Sequence, residues 1–354
     1  MVDYIKSDLP SNGTEIGKGR VGYLDALKFI AIYFVIWGHA CQYGFEGTIN
    51  NDIYHPATFF INSFHMPLFM MLSGVFASSS LKRTFGPFLL DKVRQLLIPA
   101  FLWSLIAAVI LFLRGKNYFE LYGVIGFITD YWFVKCLFIC FLLYWVSIRL
   151  LKNEFVACLV TIALVLIIPK GSFVWVSSML PFFWMGHFFK KGLLTKKVSW
   201  LMVALVGLGF VICLLGWSRN YTIYLNGSNF FSIVDGHFDP YTLFVMAYRF
   251  LIGTLGSLTF ILLVKKVYPL MENWKGMGAI QRAGQETLGI YMVHVLLLVF
   301  VAHFYAIPNS VSVWLYDFLF VHIYNLIGLF GSLAIIYTLN RYRVTRVLLL
   351  GKRR

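Results

Sequence analysis

The stretch YLDALKFIAIYFVIWGHA, residues 23–40, decides how this chain must fold. It is nearly continuous apolar sequence, and with Cys41 it reaches the length of helix, about 20 residues, that crosses a hydrocarbon core. Three ionisable residues interrupt it. Asp25 and Lys28 are three apart and can pair on one helix face. Lys28 and His39 are eleven apart, close to three turns, so they share that face about 16 Å apart along the axis. Ionisable groups at such depth are costly in lipid and face a bundle interior or a water-filled cavity. Snorkelling to the interface would account for Lys28 alone, and an interhelical hydrogen bond for His39 alone. All three on one face point to a polar cavity.

The rest of the chain agrees with a membrane setting. Of 354 residues, 60% are hydrophobic and only 13% charged, against about 25% charged in an ordinary soluble domain. Phe contributes 35 residues and Tyr 20, as lipid-facing packing and interfacial aromatic belts require. A formal charge of +15 would suggest nucleic acid on a soluble protein. Here the basic residues punctuate apolar runs, so the charge is a topology signal and no nucleic-acid partner is expected. Cys41, Cys136, Cys140, Cys158 and Cys213 lie in or beside apolar runs without metal-ligand spacing. They are expected to be buried thiols, with no metal site. The first 20 residues are polar and no cleavable signal peptide is visible.

Ten spans are predicted, roughly 23–43, 57–78, 96–114, 132–150, 155–169, 172–189, 199–217, 241–264, 286–306 and 311–340. The expected fold is therefore an all-α, polytopic transmembrane bundle. It forms one integral membrane domain over 1–354, with a polar segment 1–22 and a basic tail 341–354. Residues 115–131 are too polar to span and read as re-entrant or interfacial. With both termini cytoplasmic, 23 Lys and Arg fall on inner segments and only Arg114, Lys116, Lys170 and Arg219 on outer ones. That bias supports the orientation and the span count together, and places the protein as multi-pass in the plasma (inner) membrane.

Further polar residues stand out. His65 precedes Pro67, which loosens the second span and could set an imidazole opposite His39. Ser73 and Gly74 permit close helix approach. Lys82, Arg83, Lys92 and Arg94 fall in the loop after that span. They could bind the phosphates of a cytoplasmic ligand, although topology alone would also place them there. Trp132 and Lys135 open the fourth span; Arg249 and His294 lie at depth and need partners; Asp317 is a candidate partner for one such group. Glu286 can favour a helix N-terminus. The outer loop 218–240 could touch a sugar or serve as a solvated connector. No serine elbow, zinc cluster, phosphate-cradling glycine loop or dinucleotide fingerprint is present.

At these residues the chain resembles the acyltransferase-3 family of bacterial membrane acyltransferases. Lys28 and His39, with LDALK before, resemble its opening signature of a basic residue, ten others and a histidine. MPLFMMLSGVF at 66–76, RQLLIPAFLW at 94–103, YWFVKCLF at 131–138, LPFFWMGHFFKKG at 180–192 and TLGIYMVHVLLL at 287–298 follow in the family order. The FHMPLF form most resembles members acting on surface polysaccharides. Many members carry Arg where this chain has Lys28, which loses the bidentate fork. Some fuse an outer catalytic domain that these 354 residues do not show.

The resemblance implies helices around a cavity, an acyl-CoA donor (acetyl-CoA above all) from the cytoplasm, and a glycan or polysaccharide acceptor on the outer side. It implies functional roles for Lys28 and His39. On this reading His39 is the general base, or His39 or His65 carries the acyl group covalently. Lys28 stabilises negative charge. Asp25, Arg249, Trp132, Lys135 and His294 line the substrate path, and Lys82, Arg83, Lys92 and Arg94 hold coenzyme A. Contact with membrane lipid is certain for such a chain, and a homo-oligomer is compatible with it. A glycan or lipid transporter or flippase is the alternative, which would move its substrate without consuming a thioester.

Overall fold

A computed structural model describes residues 21–46, 55–113, 115, 131–167, 174–218, 221 and 238–352. Among these residues the chain is almost wholly helical, and the nearest approach to a sheet is one isolated bridge between Phe45 and Ile307. Residues 116–130 of the expected re-entrant segment and most of the outer loop 218–240 lie outside the described residues.

Seven helical columns are long and apolar enough to cross a membrane: Gly22–Tyr43 (α1), Pro56–Lys82, Phe85–Leu113, Trp132–Leu151, Pro240–Met271, Thr287–Tyr305 and Val313–Asn340. Three shorter or less apolar helices, Glu154–Ile167, Val174–Thr195 and Trp200–Leu215, coincide with the other predicted spans. The outer faces are apolar: Phe112, Leu150, Leu201, Leu215 and Phe330 are each more than 60% exposed. Water would not tolerate that surface, and lipid does.

Local sequence sets the helix ends. Asp239 accepts from the N–H groups of Tyr241 and Thr242 at 3.0 and 3.2 Å, with Pro240 at the first helical position. Asn153 caps helix Glu154–Ile167 in the same way, through Phe155 and Val156, while Lys152 in the left-handed region ends helix Trp132–Leu151.

The second column is broken. Helix Pro56–Ile61 (α2) stops, residues 62–64 turn, and helix His65–Val75 (α3) begins anew. Pro67 then sits in the first turn of α3, where its missing N–H is no loss. The third column starts earlier than predicted. Phe85–Lys92 (α4) is helical and runs through a π turn, Val93–Leu97, into Ile98–Leu113 (α5). Lys92 and Arg94 are therefore on a helix, not in a loop. Pro87 falls in the first turn of α4 and does not break it.

Two amphipathic helices escaped the sequence reading because neither is a span. Met277–Gln285 (α11 in chain order, after α6 Trp132–Leu151, α7 Glu154–Ile167, α8 Val174–Thr195, α9 Trp200–Leu215 and α10 Pro240–Met271) crosses the start of α1. Gly284 lies so close to the Asp25 carbonyl that a β-carbon would overlap it. Helix α12 is Thr287–Tyr305; helix α13, Val321–Asn340, completes the last column after a π turn at Tyr316–Phe320. The expected tail is instead helix Arg343–Leu350 (α14), which packs on α5. Trp103 donates to the Leu349 carbonyl at 2.9 Å. Gly351, at φ 62°, lets the chain pass the Gln95 carbonyl where a side chain could not.

Candidate functional site

Helices α1, α3 and α12 bring three imidazoles together. The rings of His39 and His294 are 5.2 Å apart at their centroids. His39 and His65 line one small pocket with Val35, Asn62, Met66, Trp132 and Tyr291. The pocket holds about 20 Å³, room for about one water molecule.

The hydrogen bonds fix which ring nitrogen does what. His65 Nδ1 lies 2.7 Å from the Ile61 carbonyl, which also accepts the Phe64 N–H at 3.3 Å in the turn after α2. A carbonyl only accepts, so Nδ1 carries the proton and Nε2 the lone pair. The same holds for His294, whose Nδ1 donates to the Ile290 carbonyl at 2.9 Å and whose buried Nε2 has no hydrogen-bond partner among the described residues. His39 Nδ1 is 3.0 Å from Gln42 Oε1. With that oxygen as acceptor, Nε2 of His39 is the basic atom. Gln42, one turn on along α1, is a positioning group that the sequence reading missed. A polar side chain three residues from a histidine within a span was the available signal.

A much larger cavity, about 1250 Å³, opens beside this pocket and shares Met66 and Tyr291 with it. All four predicted coenzyme-binding residues, Lys82, Arg83, Lys92 and Arg94, line it. Arg83 pairs with Asp91, and Glu286 with Lys352 at 2.6 Å, so Lys82, Lys92 and Arg94 set the positive field. Lys92 also lies over the Phe141 ring, 3.3 Å from its centroid. The cavity wall includes Leu350, Gly351 and Lys352, so the C-terminal segment is part of the site.

The other candidates are placed as follows. Lys28 bonds Asp25 at 3.0 Å, and Asp25 accepts from Gln285, a cavity residue, also at 3.0 Å. The Lys28 ammonium is 4.9 Å from the centroid of Phe76, another cavity residue. Lys28 thus braces the wall; it is not among the lining residues. Trp132 is in the histidine pocket. Lys135, one turn further along α6, is half-buried and lines none of these cavities. Arg249 lines a separate cleft of about 340 Å³, which shares only Asn62 with the histidine pocket.

A second buried cluster was not foreseen as a unit. His55 Nδ1 is 2.5 Å from Asp317 Oδ1, and Ala57 N–H donates to Oδ2 at 3.0 Å. Cys41 Sγ is 3.6 Å from the same carboxylate. Each offers one donor atom within 4.8 Å of the others, the one grouping of metal-ligand type among the described residues. The carboxylate already spends itself on the imidazole, the amide and the thiol. Beside it, Tyr316 donates to the Ala40 carbonyl at 2.7 Å. The cluster therefore pins the end of α1 that carries His39 and Gln42. Asp317→Ala would leave a fully buried imidazole unpaired, and breaking such a pair costs about 3–5 kcal/mol. A clear fall in the thermal midpoint of the detergent-purified protein is expected, with Asp317→Asn intermediate.

The chain is thus a membrane protein with a histidine-lined constriction between a cationic cavity and an apolar cleft. A family model described as an acyltransferase domain matches residues 21–341, and the chain belongs to the acyltransferase-3 family. It is 29% identical over 223 residues to the nodulation protein NolL of Mesorhizobium japonicum, covering 57% of this chain and 58% of that one. It is 30% identical over 225 residues to NolL of Sinorhizobium fredii, covering 57% and 59%. The matched region spans under two thirds of either relative. No solved structure matches the chain significantly.

Proposed function

We propose that this protein moves an acyl group, acetyl by preference, from cytoplasmic acyl-CoA to a hydroxyl of a glycan outside the membrane. In this reading all ten helical columns cross the plasma membrane, with both ends of the chain in the cytoplasm. The observation that carries it is the shared wall of the two cavities. A cationic chamber of about 1250 Å³ meets the pocket of His39 and His65 at Met66 and Tyr291. Small-molecule sites usually measure about 300–1,000 Å³, so the chamber suits a long ligand. Lys82, Lys92 and Arg94 would hold the nucleotide phosphates. The acyl-pantetheine arm would run along the apolar wall of Phe69, Phe133 and Leu137 towards His39.

His39 Nε2 then takes the proton of the acceptor hydroxyl as its oxygen attacks the thioester carbonyl. The carbon–sulfur bond breaks, and the imidazolium returns the proton to the departing thiolate. Lys28, through Asp25 and Gln285, holds the wall against which the donor lies, and His294 buttresses the His39 ring. The small pocket must widen to admit a sugar hydroxyl and the carbonyl together.

The test is acyl transfer by purified protein in nanodiscs with acetyl-CoA, followed by mass spectrometry of the acceptor. Movement of a glycan or lipid without thioester cleavage would favour a transporter instead. Within this reading, K92Q/R94Q is expected to weaken acetyl-CoA binding about tenfold or more, since hydrogen bonds to charged groups contribute about 1.5–3 kcal/mol each. Calorimetric titration at two salt concentrations measures it, and the wild type should show the steeper salt dependence. Equal affinities would remove these side chains from the donor site.

A further inference from the structure

We propose that the acceptor is an amphiphile: a sugar borne on a lipid phosphate, its apolar part in the cleft beside Arg249 and its phosphate on that guanidinium. This rests on the acyl-transfer reading and names the second substrate of the same site.

The cleft lies between α7, α8 and α10, and its walls are mainly apolar, with Ile162, Leu166, Phe182 and Met246 among them. A free sugar needs hydrogen-bonding walls, because each unmet hydroxyl taken out of water costs free energy. These walls suit hydrocarbon. The mouth points towards the bilayer: Leu243 and Phe250 line the cleft and are each 40% exposed on the lipid-facing side of α10. A ligand would enter sideways from lipid, not from water.

The polar groups are few. Arg249 is its one charged lining residue, with Asn62, Ser63, Ser177 and Ser178. A planar guanidinium matches phosphate oxygens in pairs, and the low dielectric around it strengthens that contact. Asn62 belongs to both this cleft and the pocket of His39 and His65. A head group extending past Asn62 from a phosphate on Arg249 therefore arrives at the catalytic base, opposite the donor cavity. Three cavities in series, cationic, basic and apolar with one arginine, give each part of a bisubstrate reaction its own compartment.

The experiment uses the full chain in nanodiscs and three probes: farnesyl phosphate, farnesol and inorganic phosphate. Binding is read by native mass spectrometry, with acetyl-CoA binding to the wild type measured in parallel. Farnesyl phosphate is expected to bind one to one, about tenfold or more tighter than either other probe. R249Q should lose about tenfold, with R249K in between. Ala247→Phe adds bulk at the exposed mouth without entering the core, and should weaken farnesyl phosphate as well. Equal binding of farnesol, equal binding of inorganic phosphate, or indifference to both R249Q and A247F would each overturn the inference. Acetyl-CoA bound but farnesyl phosphate refused overturns it alone. Farnesyl phosphate bound but acetyl-CoA refused overturns the acyl-transfer reading instead.

Discussion

Replacing His39 by alanine is expected to leave a folded membrane protein that transfers acyl groups at least a hundredfold more slowly. The size follows from the chemistry. A sugar hydroxyl is a poor nucleophile until its proton leaves, and a positioned general base contributes about 10²–10⁴-fold. The cost to folding is small by comparison. The side chain is half-buried, and its hydrogen bond to Gln42, at 3.0 Å, is of a kind that contributes about 1 kcal/mol net. Acetyl-CoA binding should survive, because the donor cavity does not include His39. Thiol release and acceptor mass together measure the step. Gln42→Leu should act in the same direction but less, since it removes the orienting acceptor and leaves the ring. Its rate should be restored in part by Gln42→Glu, which keeps the oxygen. A covalent route would differ in one readout: wild type mixed with acetyl-CoA alone would retain an acetyl group on His39 or His65. Full activity in H39A would hand the base to another residue, with His65 and His294 the neighbours positioned for it.

Much of this arrangement could be read in advance, for reasons that are physical. Charge is costly in lipid, so Lys28, His39, His65, Arg249 and His294 stood out against apolar sequence. The eleven-residue spacing put Lys28 and His39 on one face of α1. Their roles separate only in three dimensions: His39 faces a pocket, while Lys28 is drawn aside by Asp25 and reaches the cavity through Phe76 and Gln285. The basic run at 82–94 was legible by composition, but its helical form was not. Pro87 stands inside that run, and a proline is tolerated there because the helix begins only two residues before it. The His55–Asp317 pair was invisible because its members lie 262 residues apart, and no local pattern marks such a pair. Helices α11 and α14 were missed for a related reason. They are too short and too polar to span, and they earn their place only by packing on α1 and α5. Hydropathy reports a helix's relation to lipid, not its relation to another helix.

That distinction underlies the other large effect, expected at Gly186. Helices α3 and α8 approach each other through two glycines. A β-carbon at Gly74 would lie 2.0 Å from the Phe183 carbonyl oxygen, and one at Gly186 would lie 1.9 Å from that of Met71. Both contacts are with backbone, so no side-chain rotation can relieve them. Gly186→Val would force the helices apart along their whole contact, including the turns that carry Met66 and His65 to the site. Between apolar helices in lipid there is no hydrophobic force to hold a wider spacing, because lipid tails compete equally well for each surface. Overpacking in a well-packed core costs about 1–3 kcal/mol where side chains can shift; here the backbone itself must move, and the loss should exceed that range. The expected outcome is little or no monodisperse protein after detergent extraction, with total membrane expression maintained. Gly192→Ala on the same helix is the matched control. Its β-carbon would meet only the Lys196 side chain, at 3.9 Å, and alanine favours helix over glycine by about 1 kcal/mol. If G186V extracted as cleanly as G192A, the tight α3–α8 seam would not be what holds His65 opposite His39.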